Sequence, residues 1–210
     1  ILEPIQGESG IVVAPDGFLQ EVRKLCDEKG ILLIFDEIQA GLGRTGRLWA
    51  GEHWNTAPDI LCLAKGIAGG VPMGATLVRP NILAAINKGE HSSTFGGNPI
   101  SCAAGIAALT SITEDGLIEN SKKMGEMFRQ GLEKLKDKHT MIRDIRGKGL
   151  MIGIGLDSNI IDCSQLVKKA LKDNLLINVT GTTIRMLPPL IITKEEIDIL
   201  ISKLIKLIST

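Results

Sequence analysis

Two short apolar runs, each closing on one ionisable residue, constrain this chain more than any other feature. Ile31 to Phe35 is continuously apolar and stops at Asp36, and the strand-like segment Asp59 to Ala64 stops at Lys65. An unbroken run of that length predicts a strand covered on both faces, as in a parallel sheet. Ahead of it, Phe18 to Lys29 sets Leu19, Val22, Leu25 and Cys26 at helical spacing, and Gly30 supplies the stop. Ala75 to Val78 reads as a further strand. Strands interleaved with a helix predict an α/β architecture.

From about Asn98 the periodicity lengthens. Pro99 to Thr113 and Gly116 to Lys138 read as helices, the second amphipathic and charged. Shorter elements follow: strands at Met141 to Arg146 and Leu150 to Leu156, then a helix from Ser164 to Lys172. Strands at Leu175 to Val179 and Thr183 to Leu187 precede a closing helix from Lys194 to about Ile208. The change of texture predicts two domains, residues 1–112 and a smaller α/β unit over residues 113–210.

Composition narrows the chemistry. Lys+Arg and Asp+Glu both total 24 over 210 residues, so the net charge is zero, which argues against a nucleic-acid binder or a disordered chain. No apolar run approaches the ~20 residues a bilayer span needs, and Ile1 opens without the charged start of a signal peptide. The expectation is a soluble, cytoplasmic protein without membrane or nucleic-acid partners. Cys26, Cys62, Cys102 and Cys163 are scattered with no CxxC and no Cys/His cluster, which predicts reduced thiols and no metal site. With no Tyr and only His53, His91 and His139, catalysis must lean on Lys, Asp, Glu or a cofactor. The opening on what reads as the end of a strand suggests a part of a longer protein.

Three readings meet at Asp36. The apolar run closing on Asp36-Glu37 resembles the magnesium-holding strand of a P-loop ATPase, but that reading needs a GxxxxGK[ST] loop, and the chain has none. Gly41-Leu-Gly43-Arg-Thr-Gly46 is a formal GxGxxG, yet Asp36 to Ala40 separate it from its strand and no clear helical face follows, so it reads as a turn system. The third reading pairs Asp36 with Lys65. Asp36 sits at the carboxyl end of a buried strand, where open α/β sheets place ligands. Lys65 follows the second strand and precedes Gly66-Ile67-Ala68-Gly69-Gly70, small residues that let a flat ligand approach the backbone. An amine and a carboxylate at neighbouring strand ends suit pyridoxal phosphate, the lysine forming a Schiff base and the acid pairing with the pyridinium nitrogen. An ordinary Asp–Lys ion pair is the competing structural explanation.

A set of ordered motifs adds a family resemblance. Glu3-Pro-Ile-Gln-Gly-Glu8, Phe35-Asp36-Glu37-Ile38-Gln39-Ala40-Gly41-Leu-Gly-Arg44-Thr45-Gly46, Leu63-Ala64-Lys65-Gly66 and Ser93-Thr94-Phe95-Gly96-Gly97-Asn98-Pro99 are followed by Arg146-Gly147-Lys148-Gly149-Leu150 and Ile184-Arg185-Met-Leu-Pro188-Pro189-Leu190. In content and order they resemble the class III pyridoxal-phosphate aminotransferases over the whole chain. Within the class, Leu176-Ile177-Asn178-Val179-Thr180 is most similar to the acetylornithine aminotransferase group and its ornithine and lysine-pathway relatives.

The resemblance implies pyridoxal-phosphate fold type I, with the later strands of the large α/β/α domain followed by the small domain. It implies amino transfer from N-acetylornithine, ornithine or a lysine-pathway analogue to 2-oxoglutarate, as in arginine biosynthesis. A 4-aminobutyrate aminotransferase or a glutamate-semialdehyde aminomutase is the nearest alternative. By the same resemblance Lys65 and Asp36 are catalytic and hold the cofactor, Gln39 bonds its phenolic oxygen, and Thr94 reaches the cofactor phosphate of a neighbouring subunit in a homodimer. Arg185 is implied as the clamp for a substrate carboxylate, Glu8 as the acid that pairs with it when another substrate is bound, and Ser93 as a substrate contact. Arg44 and Arg146 read as holding turns, and His91 as a loop histidine. Roughly the amino-terminal half of the family's chain has no counterpart here, so these 210 residues are expected to be inactive alone.

Overall fold

The computed structural model describes residues 1–157, 159 and 163–209. Among these, the strands β1 (Ile5–Gln6), β2 (Val12–Val13), β3 (Ile34–Asp36), β4 (Ile60–Leu63) and β5 (Ala75–Val78) belong to the first half of the chain. The helices α1 (Phe18–Lys29), α2 (Pro80–Leu83), α3 (Pro99–Glu114) and α4 (Leu117–Lys136) are joined to them in sequence. β6 (Ile142–Lys148), β7 (Met151–Leu156), α5 (Cys163–Lys172), β8 (Asn178–Thr180), β9 (Thr183–Met186) and α6 (Lys194–Ser209) follow. β1 and β2 form an antiparallel pair; β3-β4-β5 and β6-β7-β9-β8 form two further sheets.

β4 pairs parallel with β3 and antiparallel with β5, so this sheet is mixed. Only Ile34–Asp36 of the expected apolar run is strand, and Ile31 and Leu32 are half exposed. Among the described residues β3 lies at the end of the sheet order, met on its other side by an isolated parallel bridge between Leu2 and Phe35. The segment Leu175 to Val179 likewise departs from expectation, strand beginning only at Asn178 while Leu176 stays exposed.

Two hydrophobic clusters organise the packing. One gathers Ile5, Leu19, Phe35, Leu61, Ile67 and Ile112 beneath the β3-β4-β5 sheet. The other gathers Phe128, Leu132, Ile152, Ile154, Ile184 and Leu204, where α4 and α6 lie against β6-β7-β9-β8. α4 enters it because Met124, Phe128, Leu132 and Leu135 recur on one face while its Glu and Lys residues stay outside. Burying an aromatic such as Phe128 contributes roughly 1.5–3 kcal/mol. Residue 112 falls inside α3, which starts at an Asn98 cap whose side chain accepts from the Ser101 N–H at 2.9 Å, with Pro99 at the first helical position. α3 is apolar nearly all round yet leaves Ile100 76% exposed. Among the described residues no helix is long and apolar enough to cross a membrane, and Cys26, Cys62 and Cys102 are free thiols.

Candidate active site

The parallel register of β3 and β4 sets Asp36 opposite Cys62, and the chain leaves β4 one residue later. Neighbouring strands lie ~4.8 Å apart, so Asp36 and Lys65 arise from adjacent strand tips on the same edge of the sheet. Glu37 N–H donates to Cys62 O at 3.0 Å and locks that edge. Lys65 opens a 3-10 turn, Lys65–Ala68, in a left-handed conformation with φ 49°. A non-glycine residue held there stores backbone strain, which clusters at working sites. Its side chain is exposed and forms no ion pair among the described residues, so the competing Asp36–Lys65 salt bridge is not formed. Asp36 is half-buried; its Oδ1 accepts from Ile38 N–H at 3.0 Å, and its Oδ2 has no partner among the described residues.

Gln39 and Glu8 meet beside this edge. Gln39 Nε2 donates to Glu8 Oε1 at 3.0 Å, and Arg185 Nη1 donates to the same oxygen at 2.8 Å. The bare Gly7 leaves the Gln39 amide its place, since a Cβ there would lie 2.4 Å from Gln39 Oε1 and push that side chain aside. Hydrogen bonds from Arg185, then Gln39, followed by the charges of Arg185 and Lys65, hold the Glu8 carboxyl below its ordinary value. Lys65 thus shares one electrostatic neighbourhood with Glu8, Gln39 and Arg185.

Arg185 is only 8% exposed, and each of its three guanidinium nitrogens donates at least one hydrogen bond. Nε and Nη2 donate to Asn178 Oδ1 at 3.2 and 3.1 Å, while Nη1 also donates to Gly7 O at 3.0 Å. Asn178 is a site residue that sequence reasoning missed as such; the signal was the tight β8–β9 hairpin about Gly181, which pairs Asn178 directly with Arg185. A cavity of about 620 Å³ is lined by Lys65, Gly66, Gln39, Arg44, Ser111 and Leu190; Asp36, Glu8 and Arg185 do not line it, and Arg185 borders a separate cavity of about 330 Å³. Arg44 donates to the Leu150 and Pro188 carbonyls, and burial pulls its guanidinium down to about 10.

Ser93 and Thr94 stand apart. They belong to an exposed turn ahead of α3; Ser93 lines a separate cavity of about 390 Å³ with Pro72, Phe95 and Asn98, and Thr94 does not border the Lys65 cavity. His91 is exposed on the same loop.

Glu37 faces inward. It is 1% exposed and accepts from the Ala50 and Gly51 N–H groups at 2.6 and 2.9 Å, tying the Gly41 to Trp49 loop to the strand tip. Burial pushes its carboxyl from 4.5 up to about 7, against the two backbone donors and with help from Glu52. Because the folded state holds this proton more tightly than the unfolded one, its stabilising contribution is complete below about 4.5 and is lost as pH rises through about 7. Thermal midpoints of the parent and a Glu37→Gln variant should therefore converge between pH 5 and 8, by up to about 3 kcal/mol in unfolding free energy. A pH-independent gap would contradict this.

The fit to a flat aldehyde cofactor rests on these groups: an exposed amine without a counter-ion and a carboxylate oxygen left unpaired at the adjacent tip, both among the described residues, and the Gln39 amide lining the cavity with Lys65. The family described as Aminotransferase class-III matches residues 1–208. An acetylornithine aminotransferase of Caldanaerobacter subterraneus is 51% identical over 199 residues, 94% of this chain and 50% of its own. One from Methanocaldococcus jannaschii is 49% identical over 207 residues, 97% and 51% of the two chains. Among solved structures, an ornithine aminotransferase from Toxoplasma gondii superposes with a TM-score of 0.95 at 41% identity, covering 99% of this chain and 50% of that one. An acetylornithine aminotransferase from Elizabethkingia anophelis gives 0.93 at 40%, covering 99% and 53%. The chain spans about half the length of the curated relatives it matches.

Proposed function

The chain belongs to the class III aminotransferases and has their α/β fold, pyridoxal-phosphate fold type I, and from that premise we propose that the complete protein moves an amino group from N-acetylornithine, ornithine or a lysine-pathway analogue to 2-oxoglutarate. The observation that carries the reading is the convergence of Lys65, Gln39, Glu8 and Arg185 beside the Asp36 strand tip. Pyridoxal 5′-phosphate, when bound, supplies an electron sink for the bond electrons left on the substrate carbon that bears the transferred amine.

The residues of this chain do the rest. Lys65 would hold the cofactor through its Nζ, and the same amine would carry the proton from and to the substrate carbon that bears the transferred nitrogen, Cα in glutamate and Cδ in N-acetylornithine. Asp36, through its unpaired oxygen, would keep the proton on the ring nitrogen, and Gln39 would orient the ring through its amide. Arg185 binds the α-carboxylate of glutamate or 2-oxoglutarate, its planar fork held in register by Asn178. Glu8 neutralises Arg185 whenever the donor's carboxylate lies elsewhere, so one pocket serves two unlike substrates. This pair favours a glutamate-using transaminase over an aminomutase.

Residues 1–112 would contribute the later part of the large domain and residues 113–210 the small one. Thr94 reaches a neighbouring subunit's cofactor phosphate in a homodimer. Its exposed turn, with Phe95 81% exposed and the bare Ile100 of α3 beside it, supports that reading. The 210 residues alone are inactive, since the groups for phosphate and for the other carboxylate are not among those gathered at the strand tips. Borohydride treatment of the complete enzyme should leave a stable cofactor adduct on the Lys65 peptide, read by mass spectrometry. An active enzyme whose Lys65 stayed unmodified would refute the assignment.

A further inference from the structure

Glu8 sits on the turn between β1 and β2, and this turn rests on the second sheet. There, Arg146 of β6 pairs with Gly153 of β7, and Gly153 pairs in turn with Arg185 of β9. The three residues form one cross-strand row with their side chains on one face. The central position has no side chain, and the turn occupies that space: a Cβ on Gly153 would lie 3.0 Å from Gly10 O and 3.0 Å from Ile11 Cβ. The arginines on either side each take one carbonyl of the turn. Arg185 Nη1 donates to Gly7 O at 3.0 Å, and Arg146 Nε donates to Gly10 O at 3.0 Å.

The two clamps differ in what else they do. Arg185 Nη1 serves both Gly7 O and Glu8 Oε1, so a substrate carboxylate arriving at Arg185 competes with the turn for the same donor. Arg146 faces no such competition. Its Nη2 donates to Thr183 Oγ1 at 2.7 Å, its Nη1 pairs with Asp144, and Gly155 leaves room for both. Thr183 is buried and lies two residues before Arg185 on the same face of β9.

We propose that Arg146 is a positioning residue: it holds the Gly10 end of the turn while Arg185 exchanges Glu8 for substrate, and so returns Glu8 to the geometry that closes the pair. The proposal rests on the reading of Arg185 and Glu8 given above. It has a direct consequence for substrate choice. A donor whose carboxylate lies away from Arg185 needs the closed Glu8–Arg185 pair, whereas glutamate and 2-oxoglutarate displace Glu8 and do not.

In the complete holoenzyme, Arg146→Gln should lower kcat/KM for the acetylornithine half-reaction roughly 10-fold or more, the worth of a hydrogen bond to a charged group. The glutamate half-reaction should stay within about twofold, because that substrate displaces Glu8 and does not use the pair that Arg146 helps to close. Hydrogen–deuterium exchange, which needs no turnover, should speed up in the peptide spanning residues 5–13 and stay unchanged in residues 150–156. Thr183→Val, which removes only the Nη2 acceptor, should shift both readouts in the same direction by less. Equal losses in the two half-reactions, or unchanged exchange in residues 5–13, would overturn the proposal. Failure of the underlying reading looks different: the parent enzyme itself would not process either amino donor.

Discussion

Replacing Lys65 with alanine in the complete enzyme is expected to abolish turnover, with a loss of at least ~10²–10⁴-fold from the missing proton transfer alone. The loss should appear equally in both half-reactions, because the same amine serves the nitrogen-bearing carbon of either substrate. Stability should not follow. Lys65 is exposed, pairs with no acid among the described residues, and its left-handed backbone is strained alike with either side chain. An unchanged thermal midpoint beside a lost activity would separate chemistry from folding. A Lys65→Ala enzyme within tenfold of the parent would sink the assignment, since no other lysine lines the cavity.

Gly125→Ala is expected to destabilise the protein by at least about 3 kcal/mol, the upper end of ordinary overpacking. For a protein of this size, that lowers the thermal midpoint by at least roughly 6 °C. Helix propensity points the other way, favouring alanine inside α4 by about 1 kcal/mol. The clash wins because its neighbours are backbone: a Cβ on Gly125 would lie 2.1 Å from Gly149 O and 2.2 Å from its carbonyl carbon. Gly149 cannot retreat, as its own Cβ position lies 2.4 Å from the Thr45 carbonyl carbon. Gly131, in the same helix, is the control. A Cβ there meets chiefly Ile201 Cδ1 at 2.3 Å, the end of a side chain that can rotate away. Gly131→Ala should therefore be close to neutral, and equal effects at the two positions would refute the argument.

The consequence of that seam reaches the site. α4, the β6–β7 turn and the Gly41–Gly46 loop are stacked backbone on backbone, with Leu150 N–H donating to Arg44 O at 3.0 Å and Ser121 Oγ to the same oxygen at 2.9 Å. The loop that follows Gln39 is thereby fixed to the sheet that carries Arg185 and Arg146. Such direct contacts hold catalytic groups to the small tolerances their chemistry needs.

Much of this was legible in the chain. The apolar runs closing on Asp36 and Lys65, the helix Phe18 to Lys29 and the charged amphipathic α4 each follow from local pattern, and the helices match their expected bounds within a few residues. The run Ile31 to Phe35 misled by three residues, because periodicity reports apolarity and not which edge of a sheet a strand occupies. Glu37 read as half of an acidic pair, yet it turns inward to two backbone donors thirteen and fourteen residues on, a partnership no spacing rule encodes.

The division has one physical origin. Residue order alone determined which groups end each strand and which faces of the helices are apolar, since both depend on neighbours within a few positions. Only the tertiary structure decided that Asn178 grips Arg185, that Gly153 leaves a seat for the Glu8 turn, and that Arg146 holds its far end. The Gly153 and Arg146 contacts join residues more than a hundred positions apart, and Asn178 meets Arg185 across a hairpin; all three depend on strand register, which is set when the sheets pair and not before.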